Sequence, residues 1–195
     1  MAQSNRVFGT PGLHKSVDRR RWAATVVIAL IFFTGCASDT TEDSSDDRSE
    51  GTVVDGIAIE PAEPTFVLSD EEWQQRLTDE EYDVLRQEGT EPPWSGALLE
   101  NQQEGTYLCA GCGHPVFSSK AKYDSRTGWP SYWEPVSQDG AVGTRKDRSL
   151  GTTRVEVHCG RCASHLGHVF PDGPEPTGLR YCINSLALDF EARQQ

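Results

Sequence analysis

HCGRCASHLGHVFPDGPEPTGLRYCINS, the sequence of residues 158–185, contains six of the eleven cysteine and histidine residues of this chain. It holds a CxxC pair, two histidines three positions apart and, near its end, one separate cysteine, Cys182. Thiolates and imidazoles are common zinc ligands, and a thiolate is also a strong nucleophile. The segment is therefore the starting point for predicting both a metal site and a reactive site.

Cys182 lies in a run that is typical of a β-strand, residues 179–183. Side chains two positions apart share a face of a strand, so Arg180, Cys182 and Asn184 are predicted to point the same way. A cation beside a thiol lowers its pKa from about 8.5 and favours a reactive thiolate. The alternative is a buried, unreactive cysteine, which is common in protein cores.

Two CxxC pairs form a candidate metal site. Its predicted ligands are Cys109, Cys112, Cys159 and Cys162. Two thiolates separated by two residues bind one side of a tetrahedral zinc, and a second pair completes the site. Residues 113–158 lie between the pairs, so the metal would join distant parts of one domain, and a closed set of four ligands predicts a structural role. The alternative is two disulfides, which an oxidising compartment would allow.

The charge of the chain excludes one class of partner and is unevenly distributed. Its formal net charge of −12 gives no electrostatic support for binding nucleic acid. Residues 39–63 contain nine acidic residues and one basic residue, Arg48. Segments of low hydrophobicity and high charge stay disordered, so residues 37–64 are predicted to be an acidic, disordered linker.

The first 36 residues are predicted to be a signal peptide. Arg19–Arg21 precede an uncharged apolar run, residues 22–34, which is shorter than the roughly 20 residues that span a membrane. The run ends at Gly35-Cys36, which resembles a bacterial lipobox, with Phe33 at the usual leucine position. We expect Cys36 to be lipidated and to anchor the protein in the cell envelope, on the outer side of the inner membrane or in the outer membrane. An uncleaved signal anchor is the alternative.

Residues 65–195 are predicted to form a mainly β (α+β) domain. Ser69 and Thr78 are each followed three positions later by a glutamate, which is the capping-box pattern of a helix start, and they predict helices over 70–77 and 79–88. After Gly105 the chain consists of short β-type runs broken by Gly, Pro and Asp, with at most a helical turn near residues 130–133.

The chain resembles the peptide-methionine (R)-S-oxide reductases. The resemblance rests on Gly128-Trp-Pro-Ser-Tyr132 and on residues 159–185, and it extends over about residues 66–190. It implies two antiparallel sheets, short N-terminal helices and a four-cysteine structural zinc. It also implies reduction of the R epimer of methionine sulfoxide, free or in oxidised proteins. Together with the predicted lipid anchor, this activity predicts repair of envelope proteins after oxidative stress.

The same resemblance implies roles for individual residues. Cys182 would be the nucleophile, His165 and His168 would lie at the sulfoxide, Asn184 would help to hold the site, and Trp129 would receive the substrate methyl. Arg180 would favour the thiolate before attack. The oxidised cysteine would be reduced by a thiol or a thioredoxin-like protein.

The chain departs from the commonest family pattern at one position. Thr127 stands directly before Gly-Trp-Pro, where many members have a second redox cysteine. We therefore expect an external thiol to reduce the oxidised Cys182 directly. Two other classes remain open from the sequence alone: a non-catalytic zinc-binding module, and a thiol–disulfide exchanger that uses a CxxC pair.

Overall fold

The computed structural model describes residues 53–194 of the chain. The predicted signal peptide (1–36), Cys36 and the first part of the predicted linker lie outside these residues. Eleven strands are described: β1 (Val53–Val54), β2 (Ile57–Ala58), β3 (Gly105–Cys109), β4 (Pro115–Ser118), β5 (Lys122–Tyr123), β6 (Ser131–Tyr132), β7 (Val142–Asp147), β8 (Arg154–Cys159), β9 (His165–Phe170), β10 (Arg180–Ile183) and β11 (Leu188–Ala192). Two α-helices, α1 (Asp70–Arg76) and α2 (Asp79–Gln87), precede β3, and short 3-10 helices occupy Ser119–Ala121 and Ser185–Ala187.

Both α-helices begin at the capping boxes that the sequence contains. The Ser69 hydroxyl accepts from the Glu72 backbone N–H, and the Glu72 carboxylate accepts from the Ser69 N–H. Thr78 and Glu81 repeat this exchange at the start of α2. Each cap satisfies backbone donors that a helix start leaves free, which explains why two such short helices form.

The strands form three antiparallel sheets. A six-stranded sheet has the order β5-β6-β10-β9-β8-β7, a three-stranded sheet has the order β11-β3-β4, and β1 pairs with β2. Helix α2 packs on β9 through its buried face. Among the residues described, no helix combines the length and the apolar character that crossing a membrane requires.

An aromatic core joins the two larger sheets. Tyr107 and Phe117 come from the three-stranded sheet, and Tyr132 comes from the six-stranded sheet; all three are fully buried. The Phe117 and Tyr132 rings stack with their centroids 4.4 Å apart, and the Tyr107 ring meets Tyr132 edge-on at 5.2 Å. These contacts hold β6, which lies between β5 and β10, beside the strand that carries Cys182.

The predicted fold class is confirmed: the domain is mainly β, with antiparallel sheets, two short helices and a buried four-cysteine cluster. Two local features differ from the prediction. Ser131–Tyr132, where a helical turn was the expectation, is a strand. Residues 53–64, predicted as linker, carry the β1–β2 pair, whose Val54 and Ile57 are buried.

This last difference has a long-range cause. The Glu60 carbonyl accepts from the Thr144 backbone N–H, and the Glu60 N–H donates to the Thr144 hydroxyl at 2.7 Å. The segment is therefore fixed against β7, and the ordered domain begins earlier than residue 65.

Candidate active site

The register of the six-stranded sheet places the candidate catalytic residues in one row. Residues directly opposite in an antiparallel pair lie on the same face. Across the sheet, the register pairs are Ser131–Cys182, Cys182–His168, His168–Glu156 and Glu156–Arg145. A thiol, an imidazole, a carboxylate and a guanidinium thus follow one another on one face of the sheet.

A β-bulge in β9 brings His165 to the side of His168. The β8–β9 register shifts between Val157 and His158, so that His165 pairs with His158 although His168 pairs with Glu156. Three positions on β9 therefore face two on β8, and the extra residue cancels the alternation that would send the two histidines to opposite faces. Their rings meet edge-on with centroids 5.4 Å apart.

Cys182 opens into a small pocket of about 130 Å³. The pocket is lined by Thr90, Trp129, Arg154, Gly167, His168, Phe170, Cys182 and Asn184. Gly167 is required here, because a Cβ at this position would collide with the backbone oxygen of Cys182. The pocket combines an apolar side, formed by Trp129 and Phe170, with a polar side that contains the thiol and an imidazole.

The surroundings of Cys182 keep its thiol largely protonated. Burial raises the pKa of the thiol, and the hydrogen bond with Thr127 and the charge of Arg180 only partly offset this. The Thr127 hydroxyl oxygen lies 3.9 Å from the sulfur. Arg180 thus acts in the predicted direction, but the predicted net lowering of the Cys182 pKa is wrong because burial outweighs it.

Arg180 also pairs with an acid, Asp172, which weakens its effect on Cys182. Its guanidinium forms a two-point ion pair with Asp172, at 2.8 and 2.9 Å, and stacks over the Phe170 ring at 4.5 Å. Its charge is thus shared with Asp172, while its planar guanidinium packs on Phe170, which lines the pocket.

Each histidine is oriented by its own carboxylate. The His165 Nδ1 lies 2.8 Å from Glu156, and the His168 Nε2 lies 2.8 Å from Asp147. A second hydrogen bond anchors each acid: Arg145 binds Glu156, and Arg154 binds Asp147 at 2.6 Å. Such pairs fix which ring nitrogen carries the proton.

The same contacts shift the pKa values of these groups. Burial raises the pKa of Asp147, but hydrogen bonds from the Ser149 backbone, His168 and Arg154 outweigh it and hold that pKa well below its usual range. Burial also raises the pKa of Glu156, and its partners His165 and Arg145 bring it below the ordinary value. Burial lowers the pKa of His168, and the hydrogen bond to Asp147 restores it only in part. Both acids are therefore ionised at neutral pH, and His168 is mainly neutral there.

Glu91 ties together Trp129 and the segment after Cys182. Its backbone carbonyl accepts from the Trp129 Nε1 at 3.0 Å, and its backbone N–H donates to the Asn184 side chain at 3.1 Å. Its buried carboxylate accepts from the backbone N–H groups of Ser185 and Leu186 at 2.7 and 3.0 Å. Asn184 also donates to the Leu166 carbonyl at 3.1 Å, so it connects the end of β10 with β9.

The four cysteines of the CxxC pairs form one cluster. All four sulfurs lie within 4.8 Å of one another and are buried, so that they could hold a metal ion. The Cys109–Cys162 and Cys112–Cys159 sulfurs are 3.7 and 3.6 Å apart, far beyond a disulfide bond of about 2.05 Å. With Zn–S bonds of about 2.3 Å, the edge of a tetrahedron is about 3.8 Å, so the cluster fits zinc.

This cluster lies at the ends of two hairpins, one in each large sheet. Cys109 and Cys159 end β3 and β8, and the second cysteine of each pair lies in the turn that follows. A CxxC pair that acts as a thiol–disulfide exchanger must be free to close its own disulfide. Here the short sulfur distances cross from one pair to the other, which argues against that alternative.

The structure brings Cys182, His168, Asn184 and Trp129 to one pocket and places His165 beside it. Sequence reasoning missed four residues of the site: the acids Asp147 and Glu156, which bind the histidines, and also Glu91 and Arg154. None of them left a local signal: even the buried Glu156 stands between Val155 and Val157, a pattern that in an alternating strand indicates a solvent-facing side chain.

Comparison with known proteins places this geometry in a family. The family model described as the SelR domain matches residues 77–192. The peptide methionine sulfoxide reductase MsrB of Leptospira interrogans is 57% identical over 123 residues, which are 63% of this chain and 93% of that protein. MsrB of Thioalkalivibrio sulfidiphilus is 57% identical over 64% of this chain and 90% of that protein, and MsrB of Methanosarcina barkeri is 54% identical over 69% and 94%.

Proposed function

This chain belongs to the SelR-domain family of peptide methionine sulfoxide reductases, MsrB, and we propose that it reduces the R epimer of methionine sulfoxide to methionine at Cys182. The observation that carries the proposal is the direct cross-strand pairing of Cys182 with His168, at a pocket whose other side is Trp129. A nucleophile for sulfur, a proton carrier for oxygen and an apolar surface for the methyl group are then within reach of one small substrate.

The reaction moves one oxygen atom and conserves the protons. The Cys182 sulfur attacks the sulfoxide sulfur, the S–O bond breaks, and the oxygen ends on the cysteine as sulfenic acid while methionine leaves. The thiol proton passes to that oxygen, and because burial raises the pKa of Cys182, the thiol starts with the proton that the product needs. His168 carries this proton, because an imidazole near neutrality both accepts and donates.

The two carboxylates make His168 suitable for this step. Asp147 holds the His168 Nε2 and stabilises the imidazolium that forms transiently. Glu156 binds His165 in the same way, so that the second ring packs against the first in a fixed orientation. Both acids stay ionised throughout, since their pKa values are depressed by their partners.

The preference for one epimer follows from three unlike surfaces. A sulfoxide sulfur carries a methyl group, an oxygen and the rest of the side chain, and the epimers differ in their handedness. Trp129 and Phe170 favour the methyl group, and His168 favours the oxygen, while Cys182 fixes the position of the sulfur. Only one epimer satisfies all three contacts. We assign this epimer as R from the family resemblance.

Reduction of the sulfenic acid requires a thiol from outside the domain. The Thr127 hydroxyl lies 3.9 Å from the Cys182 sulfur, and a hydroxyl is unable to form a disulfide. One external thiol attacks the sulfenic acid and releases water, and a second thiol, or the second cysteine of a thioredoxin-like protein, resolves the mixed disulfide. The enzyme regains its thiol, and the donor becomes a disulfide.

The four-cysteine cluster holds a structural zinc in this proposal. Cys109, Cys112, Cys159 and Cys162 would be its ligands, which leaves no position for water or substrate. The bound metal would join the two large sheets and would take no part in the reaction.

The proposal also retains the envelope location, which depends on the sequence pattern alone. The order of basic residues, apolar run and Gly35-Cys36 favours a lipid anchor at Cys36. Intact-mass analysis of the membrane fraction tests it: a mature N-terminus at an acylated Cys36 supports the anchor, and a retained leader excludes it.

The decisive test of the activity uses resolved epimers. We expect the protein to reduce N-acetyl-methionine R-sulfoxide with dithiothreitol and to leave the S epimer unchanged. Cys182→Ser should abolish turnover with unchanged circular dichroism and metal content. Equal rates on the two epimers, or retained turnover in the Cys182→Ser variant, would refute the proposal.

A further inference from the structure

Pro92, Pro93 and Trp94 form an exposed apolar run next to the pocket. Trp94 is 62% exposed, and it is the one aromatic residue among the large hydrophobic side chains that residues 53–194 leave on the surface. Exposing an indole costs free energy that burial elsewhere would recover, so an exposed tryptophan often marks a binding surface.

The backbone of Trp94 has a conformation that is unfavourable for a tryptophan. Its φ is +68°, a left-handed conformation that a bulky side chain rarely adopts. The Trp94 N–H donates to the Gly128 carbonyl at 2.8 Å, which fixes this conformation. Strain of this kind costs on the order of 1–3 kcal/mol and tends to persist at functional sites.

The run is continuous with the pocket at two points. Thr90 lines the pocket, and Glu91, the residue before Pro92, accepts the hydrogen bond from Trp129. The other contact is at Gly128, where an added Cβ would lie 3.1 Å from the Trp94 Nε1 and 2.7 Å from the Pro93 Cβ. The Trp94 indole therefore packs against the residue that directly precedes Trp129.

We propose that Pro93 and Trp94 form an apolar ledge that binds an apolar side chain flanking methionine sulfoxide in an extended polypeptide. The inference rests on the proposed function and deepens it, because it assigns a binding site to the residue that flanks methionine sulfoxide in a polypeptide substrate. Two consecutive prolines before Trp94 restrict the backbone, so the ledge is ordered before substrate binds and little entropy is lost on docking. The ledge adjoins the pocket, so a residue close to the sulfoxide in sequence is able to reach it.

The test compares peptide and amino-acid substrates in the full-length protein with dithiothreitol as the reductant. The peptides carry methionine R-sulfoxide flanked by leucine or by serine, and N-acetyl-methionine R-sulfoxide serves as the minimal substrate. Trp94→Gly removes the indole and suits the left-handed backbone, so it should fold. Trp94→Phe keeps an aromatic ring, and Val67→Ala trims another exposed apolar side chain, which is 75% exposed.

We expect Trp94→Gly to raise KM for the leucine-flanked peptide about tenfold, the size of effect typical for loss of an aromatic anchor, with kcat unchanged. The serine-flanked peptide and N-acetyl-methionine R-sulfoxide should respond less than twofold, Trp94→Phe should restore most of the affinity, and Val67→Ala should behave as wild type.

Four outcomes would overturn the ledge without touching the proposed function. An equal loss on the amino acid would make Trp94 a support of the pocket, and unchanged kinetics on every substrate would leave it without a role in docking. A change in sedimentation coefficient would assign the surface to a second copy of the chain, and a defect seen only with a thioredoxin-like donor would assign it to the reductant. Failure of the wild-type protein to reduce any R-sulfoxide would instead refute the proposed function.

Discussion

Replacing Glu91 by glutamine tests whether one buried carboxylate holds the pocket together. Glu91 is 4% exposed, and each of its oxygens accepts from a different backbone N–H, at 2.7 and 3.0 Å. The glutamine amide has one oxygen, so its NH₂ group would face the second N–H, donor against donor. A lost charge-assisted hydrogen bond and an unsatisfied buried N–H each cost about 1–3 kcal/mol, so we expect a loss of about 3 kcal/mol in the free energy of unfolding.

Urea unfolding of the zinc-loaded protein measures this change as a lower midpoint at constant m-value, and the melting temperature should fall by about 10 °C. Because the Glu91 backbone also binds Trp129 and Asn184, kcat/KM for the R-sulfoxide should fall at least about tenfold. Glu100→Gln is the matched control, since Glu100 is exposed, and its effect should stay within about 0.5 kcal/mol. A loss below about 1 kcal/mol in Glu91→Gln, with kcat/KM unchanged, would refute the reasoning.

Three further predictions concern the metal, the pH dependence and recycling. Cys109→Ser should lower both the zinc content, measured by elemental analysis, and the urea midpoint, because metal-binding energy is folding energy in such a site; a fully stable variant would contradict this. Because the folded state depresses the pKa of Asp147, the ionised carboxylate stabilises the fold above its unfolded pKa of about 3.9, and this stabilisation is lost as the pH falls further. Asp147→Asn should therefore flatten the acid branch of the plot of stability against pH. The same variant removes the contact that raises the pKa of His168, so the acid limb of kcat/KM, where His168 becomes protonated and no longer accepts the thiol proton, should move to lower pH; an unmoved limb would exclude His168 as the proton carrier. Thr127→Cys should form a disulfide with Cys182 after one turnover, seen as a loss of about 2 Da under non-reducing conditions, because the Thr127 oxygen already lies 3.9 Å from the sulfur; two free thiols or a persistent sulfenic acid would contradict it.

Local patterns in the sequence predicted those parts of the fold that local interactions determine. The capping residues Ser69 and Thr78 are sufficient to start both helices, since each finds its partner three positions away. Alternation in β10 correctly placed Arg180 and Cys182 on one face, and the structure buries Tyr181 and Ile183 on the other. The four-cysteine cluster was predictable because the ligand types and the spacing within each pair are narrow chemical requirements.

Contacts between distant residues determine what the sequence did not reveal. The Glu91 carboxylate binds a backbone N–H that lies 94 positions further along the chain, and the Glu60 contact to Thr144 spans 84 positions. No periodicity or local propensity records such a partner. The bulge in β9 is another example, because a one-residue shift depends on how β8 pairs with β9 and leaves the sequence of either strand unremarkable.

Arg180 shows how a correct local inference fails in its consequence. Arg180 and Cys182 lie two positions apart on β10, as predicted. The guanidinium is nevertheless paired with Asp172, and burial has the larger effect on the pKa of Cys182. A protonated thiol reacts slowly with peroxides and disulfides, because the thiolate is the reactive form. It is nevertheless suited to the proposed reaction, in which the thiol proton is transferred to the departing oxygen and His168 is already paired with Asp147 to carry it. The burial that the sequence could not reveal thus favours a cysteine that is protected at rest and becomes nucleophilic when a sulfoxide is present to accept its proton.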